Sequence, residues 1–72
     1  MEMNEKLELL AEAMDVDPDD LKPDDDLTKK PEWDSLAVLS FMAIVSSKFN
    51  KKLKPSDVQA VVTVRDALNL ME

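Results

Sequence analysis

The 72-residue chain contains no cysteine, no histidine and no glycine. Without cysteine no disulfide can staple the fold, and no thiolate can act as nucleophile or metal ligand. Without histidine the usual proton shuttle near neutral pH is missing, so self-contained acid–base or triad chemistry is excluded in its common forms. No hydrophobic run is long enough to cross a bilayer, and no charged, oily leader resembles a signal peptide. A cytoplasmic protein without a membrane partner is therefore the expectation. The length allows one small domain with a modest core.

Charge is plentiful and unevenly spread. The net charge is −7. Residues 1–34 carry thirteen acids against four lysines, or −9, whereas residues 35–72 carry three acids against five cations, or +2. An acidic total argues against a nucleic-acid partner, which requires cations to neutralise phosphates. It suits a basic partner, or simply high solubility.

Periodicity points to helices. Met3, Leu7, Leu10 and Met14 recur at helical spacing, predicting a first helix over residues 3–14 with its glutamates toward water. "DVDPDDLKPDDDLTKKPEW" then breaks the pattern with three prolines and many aspartates. A long first loop is expected, with one helical turn at Pro18–Leu21 and with Val16, Leu21 and Leu27 pinning it to the core. Asp34 is a good N-cap for a second helix over 35–49, the most apolar and so the central one. Its predicted buried stripe is Val38, Met42, Val45 and Phe49, widened by Leu39 and Phe41, with Ala37, Ser40, Ala43 and Ser47 on the other side. Pro55 can open a short third helix over about 56–61. Thr63, with Asp66 three residues on, resembles a capping box that starts a fourth helix over 64–71. "VQAVVTV" is β-branched but has no evident pairing partner. The fold class expected is all-α, a small four-helix bundle forming a single domain over 1–72.

The stretch "EWDSLAVLSF" sets one serine, Ser35, between a capping carboxylate and an oily helix. A serine there has no base to activate it, yet the free amides and positive dipole end of a helix favour a phosphate. Asp34 beside it could help a modifying enzyme orient a metal ion or its own cations.

Helix, long loop, D-S-L, central helix ending in Phe, "P-S-D-V" turn and "VTVRDALNLM" together resemble the acyl carrier proteins over essentially the whole chain. The resemblance implies a non-catalytic carrier, not an enzyme. It implies that Ser35 is esterified by a separate phosphopantetheinyl transferase with 4′-phosphopantetheine from coenzyme A. The thiol of that arm would carry acyl groups as thioesters to acyl-loading and acyl-processing enzymes of fatty-acid, polyketide or related lipid metabolism. A reactive sulfur arriving with the cofactor is consistent with the missing cysteine. Leu39, Met42, Val45 and Val61 are the candidate acyl-pocket lining, although each would serve equally as ordinary core. Asp34, Leu36, Ala37, Ser40 and Ile44 are the candidate partner-recognition residues. A monomer with no bound metal is expected.

Two features depart from the family pattern. Fatty-acid carriers usually have glycine ahead of the motif, where this chain has "PEWDSL"; Trp33 is expected to cover the core edge where the loop meets the second helix. That helix usually bears several acids, yet residues 35–49 contain no Asp or Glu and include Lys48. Electrostatic steering through it should be weak, and its partners should differ from a housekeeping fatty-acid synthase. W-D-S motifs look more like those of discrete carriers in specialised pathways.

Three other readings compete. An aminoacyl or D-alanyl carrier would use identical arm chemistry. An unmodified helical interaction module would not need Ser35. A calcium loop would use Asp15, Asp17, Asp19 and Asp26, but the frame has Asp20 where glycine is required and is interrupted by Pro18 and Pro23.

Thirteen carboxylates within 34 residues repel one another, so raising salt should stabilise the fold. The thermal midpoint is expected to climb from low to physiological ionic strength; a flat or falling midpoint contradicts the charge argument.

Overall fold

Residues 2–71 are described by the computed structural model, which leaves Met1 and Glu72 outside the description. Four helices follow in order: α1 Met3–Met14, α2 Ser35–Phe49, α3 Pro55–Gln59 and α4 Val64–Asn69. Two single 3₁₀ turns, Pro18–Asp20 and Leu27–Lys29, punctuate the long loop between α1 and α2. The described residues contain no strand, and α1 packs against both α2 and α4. The fold is the all-α, acyl-carrier-like bundle that the sequence predicts.

α1 and α2 have the expected bounds. The short helices differ at their ends. α3 begins at Pro55, whose missing amide costs nothing at a first helical position. It stops at Gln59, two residues before the predicted end, and Val61 leaves the helix to be buried. α4 ends at Asn69, after which Leu70 and Met71 tighten into i→i−3 bonds to Ala67 and Leu68, at 3.1 and 3.0 Å.

Lacking glycine, the chain ends its two long helices with other residues. Asp15 (φ 58°, ψ 45°) and Asn50 (φ 51°, ψ 41°) take the left-handed conformation that most often falls to glycine. Their short polar side chains tolerate it better than most. After α1 the pattern is a full Schellman motif. The Val16 amide reaches the Ala11 carbonyl at 3.0 Å and the Asp15 amide reaches Glu12 at 3.2 Å, while Val16 packs onto the core.

The core runs through every helix. Leu10 and Met14 of α1, Phe41 and Val45 of α2, and Val58, Val64 and Leu68 are all buried. Leu21 and Leu27 anchor the loop as expected, fully buried, with Val16 partly so. Met3, predicted on the buried stripe, is exposed at the start of α1.

The α2 stripe requires a larger correction. Its fully buried positions are Ala37, Phe41 and Val45, spaced four apart, with Val38, Met42 and Phe49 only partly buried and Leu39 64% exposed. Apolar residues surround this helix so completely that spacing could not choose among faces. Small Ala37 lies inward because a methyl group fills the space available near the helix start.

The link between α3 and α4 is where the loop is held. Asp26 and Thr63 form one antiparallel bridge. The Leu27 amide donates to the Val62 carbonyl at 2.8 Å, Val64 to Asp25 at 2.9 Å and Arg65 to Pro23 at 3.0 Å. The "VVTV" segment thus has a partner after all, and it is the acidic loop. Arg65 also pairs with Asp24 at 3.4 Å, and Lys30 with Asp25 at 3.5 Å. Both pairs are partly or largely exposed, so each contributes little.

Two carboxylates tie this junction locally. Asp66 accepts the amides of Thr63 and Val62, both at 3.1 Å, and takes part in the predicted capping box with the Thr63 hydroxyl. Those amides hold its carboxyl below the ordinary value of 3.8. Asp26 accepts the hydroxyl and amide of Thr28, chiefly the hydroxyl, and is lowered likewise. A lowered carboxyl contributes stability that is complete above its ordinary value and is lost as pH falls through its folded one. The thermal midpoint should therefore drop on acidification below about pH 4, and Asp66→Asn should lower the neutral midpoint while making the acid drop shallower. An Asp66→Asn chain that matches the original at neutral pH and falls as steeply in acid contradicts the assignment.

Candidate functional site

The site is built around the start of α2. Asp34 is extended (φ −107°, ψ −175°), and its carboxylate accepts the Ala37 amide at 2.9 Å. The Val38 amide returns to the Asp34 carbonyl at 3.0 Å. The cap predicted from the sequence is thus present. Among the described residues the amides of Ser35 and Leu36 find no acceptor, as is usual for a first turn. Together with the helix dipole, they give Ser35 surroundings that favour an anion. Ser35 itself is exposed.

Beside Ser35 opens a groove of about 700 Å³, within the size range of small-ligand sites. Ser35, Leu39 and Met42 of α2 border it on one side, Val58 and Val61 of the α3 region on the other, and Trp33, two residues ahead of Ser35, also lines it. Its lining is largely apolar, and Asp34 is the one ionisable residue in it. Three of the four residues expected to line an acyl pocket, Leu39, Met42 and Val61, are brought together here. The fourth, Val45, is wholly buried in the core and does not border the groove. Val38 and Val58 line it without having been singled out in the sequence. Val58 follows P-S-D, which was legible; its sharing the groove with Ser35 was not.

The residues expected on a partner-facing surface divide. Leu36 is 72% exposed and Ser40 half-buried. Ala37 is only 3% exposed, so its side chain offers no surface, for the packing reason given above. Ile44 is partly buried against the core. The exposed residues of α2 are Ser35, Leu36, Leu39, Ala43, Ser46, Ser47 and Lys48. They include no acid, and Lys48 in the last turn is their one charge, in a chain of which 35% of the residues are charged.

Trp33 sits where the loop meets α2, as expected. It is half-buried and meets Phe41 edge to face, with centroids 5.7 Å apart at 71°. The loop aspartates do not converge. Asp17 caps the first 3₁₀ turn, Asp25 accepts the Lys22 amide at 3.0 Å and Asp26 binds Thr28. Among the described residues no three His, Cys, Asp or Glu side chains come together as a metal site. No helix there is long and apolar enough to cross a membrane.

A family model described as phosphopantetheine attachment site matches residues 7–71. The chain belongs to that family. An acyl carrier protein of Sulfurovum sp. (strain NBC37-1) is 29% identical over 65 residues, which is 90% of this chain and 87% of that protein. A member of the family is a carrier protein with a covalently attached 4′-phosphopantetheine prosthetic group. An exposed hydroxyl, unbonded first-turn amides and an adjoining apolar groove fit such a group in size and chemistry.

Proposed function

We propose that this chain is an acyl carrier in which Ser35 holds the prosthetic group, and that it presents thioester-bound acyl intermediates to enzymes of fatty-acid, polyketide or related biosynthesis. The observation that carries the reading is the exposure of Ser35 at the capped start of α2, directly beside an apolar groove. In attachment the Ser35 oxygen forms the new bond to phosphorus, the bond to the nucleotide portion of coenzyme A breaks, and the hydroxyl proton passes to a base of the transferase. The bound group supplies the thiol. The chain's own residues orient and shelter: the first-turn amides face the phosphodiester, and the groove keeps water from an apolar cargo. With no histidine and no cysteine, the chain leaves acid–base and nucleophilic steps to its partners. The same reading makes it a monomer of the cytoplasm.

The groove favours acyl over aminoacyl cargo. An ammonium would have to be desolvated against Val38, Leu39, Met42, Val58 and Val61, which an aliphatic chain would not.

Incubation with coenzyme A and a broad-specificity phosphopantetheinyl transferase should add a single phosphopantetheinyl mass to the chain and none to Ser35→Ala. Ser35 is exposed, so the variant should melt within about 0.5 kcal/mol of the original. Addition to the well-folded variant at the original rate overturns the assignment of Ser35.

Partner choice follows from the lack of acids on α2. Leu36 and Leu39 offer apolar contact beside Ser35, and no carboxylate on that helix can steer a basic patch. We assign the chain to dedicated partners with uncharged docking surfaces. Loading by a dedicated acyl ligase should far exceed turnover by a housekeeping ketoacyl synthase; efficient turnover by the synthase defeats this assignment.

A further inference from the structure

Trp33 is the one tryptophan in the chain, and its surroundings are unusual for a residue that merely closes a core edge. The ring packs against the core and meets buried Phe41 edge to face, at 5.7 Å and 71°. The residue is nevertheless left half-exposed, and it shares the lining of the groove with Ser35 and Met42. Its indole N–H makes no hydrogen bond within the described chain, and it is not among buried unsatisfied groups, so it remains open to solvent. Buried indoles usually find an acceptor, whereas a solvent-facing donor beside an apolar wall is suited to a partly polar ligand. The backbone is fixed on either side, by the Trp33 amide on the Lys30 carbonyl at 3.1 Å and by the Asp34 cap. The ring therefore has a defined position two residues from the serine.

Resting on the assignment of Ser35 above, we propose that Trp33 is a positioning residue for the Ser35-linked group. Its indole forms a wall of the groove mouth that holds an aliphatic thioester cargo inward and shields it from water. A thioester is cleaved by any small nucleophile that reaches its carbonyl. A ring at the mouth lengthens its lifetime by restricting access, and the benefit grows with the length of chain that fits behind it. Edge contact with Phe41 provides the stiffness, since a ring braced on a buried aromatic cannot swing aside without losing that packing.

The test loads the whole chain from acetyl- or octanoyl-coenzyme A with a broad-specificity transferase and confirms single addition by mass. Acrylamide quenching of the lone tryptophan is then compared in the unmodified, acetyl and octanoyl forms. The quenching constant is expected to fall by about twofold in the octanoyl form and by less in the acetyl form. Hydroxylamine should release the octanoyl thioester several-fold faster from Trp33→Ala than from the original chain. Trp33→Phe, which keeps an aromatic edge for Phe41 but not the N–H or the larger wall, should lie between them. If Trp33→Ala does not fold, the quenching series and Trp33→Phe decide the matter. Addition with identical quenching in all three forms overturns the role of Trp33 and leaves Ser35 standing, as do equal release rates in the folded variants. Absence of any addition overturns both.

Discussion

The hydrogen bond from the Ala37 amide to the Asp34 carboxylate sets the terms for the rest of the site. It marks the residue at which an extended, acidic loop becomes helix, and it does so one position ahead of the serine. Helical phase then does the remainder. Successive residues turn about 100° around the axis, so Ser35 lies roughly 200° from Ala37. Burial of Ala37, Phe41 and Val45 against the other helices consequently turns Ser35 outward. A cap worth about 1 kcal/mol and an inward stripe together place one hydroxyl in solvent.

What surrounds that hydroxyl depends on how the loop is held. Pro23, Asp25 and Leu27 bond through the backbone to Arg65, Val64 and Val62 at the start of α4, which brings Val58 and Val61 opposite α2 and closes the far wall of the groove. Without this pairing a loop of some twenty residues, rich in like charges, would be expensive to order. Leu21 and Leu27 supply the apolar anchorage, and local aspartate–amide bonds satisfy backbone donors along the way. The same carboxylates that make the first half so acidic are thus structural caps in several places. Among the described residues no three of them come together as a metal site.

Much of this was legible in the sequence, and the failures have physical causes. The bounds of α1 and α2 could be read because a clear apolar period or a strong cap marks each start. The inward face of α2 could not, since a helix that is apolar all round carries no phase information until its neighbours are in place. Ala37, expected on the other side, was misjudged for that reason, whereas Val45 is buried as expected and only fails to border the groove. The loop's attachment to Val62–Arg65 was invisible because it runs backbone to backbone between residues 35 to 42 positions apart, and carbonyls leave no mark on residue identity. The left-handed ends at Asp15 and Asn50 were hidden by the lack of glycine, the usual signal. Ser35 stood out through its D-S-L context and the family resemblance, while its exposure and its groove came only with the fold.

Carriage by this chain depends on which oxygen bears the phosphodiester. The chain offers Thr28, Ser35, Ser40, Ser46, Ser47, Ser56 and Thr63 as hydroxyl residues, so fragmentation of the modified protein in a mass spectrometer discriminates directly. The whole added mass is predicted on Ser35, with the other six unmodified. Its location on any of those six would contradict the central claim.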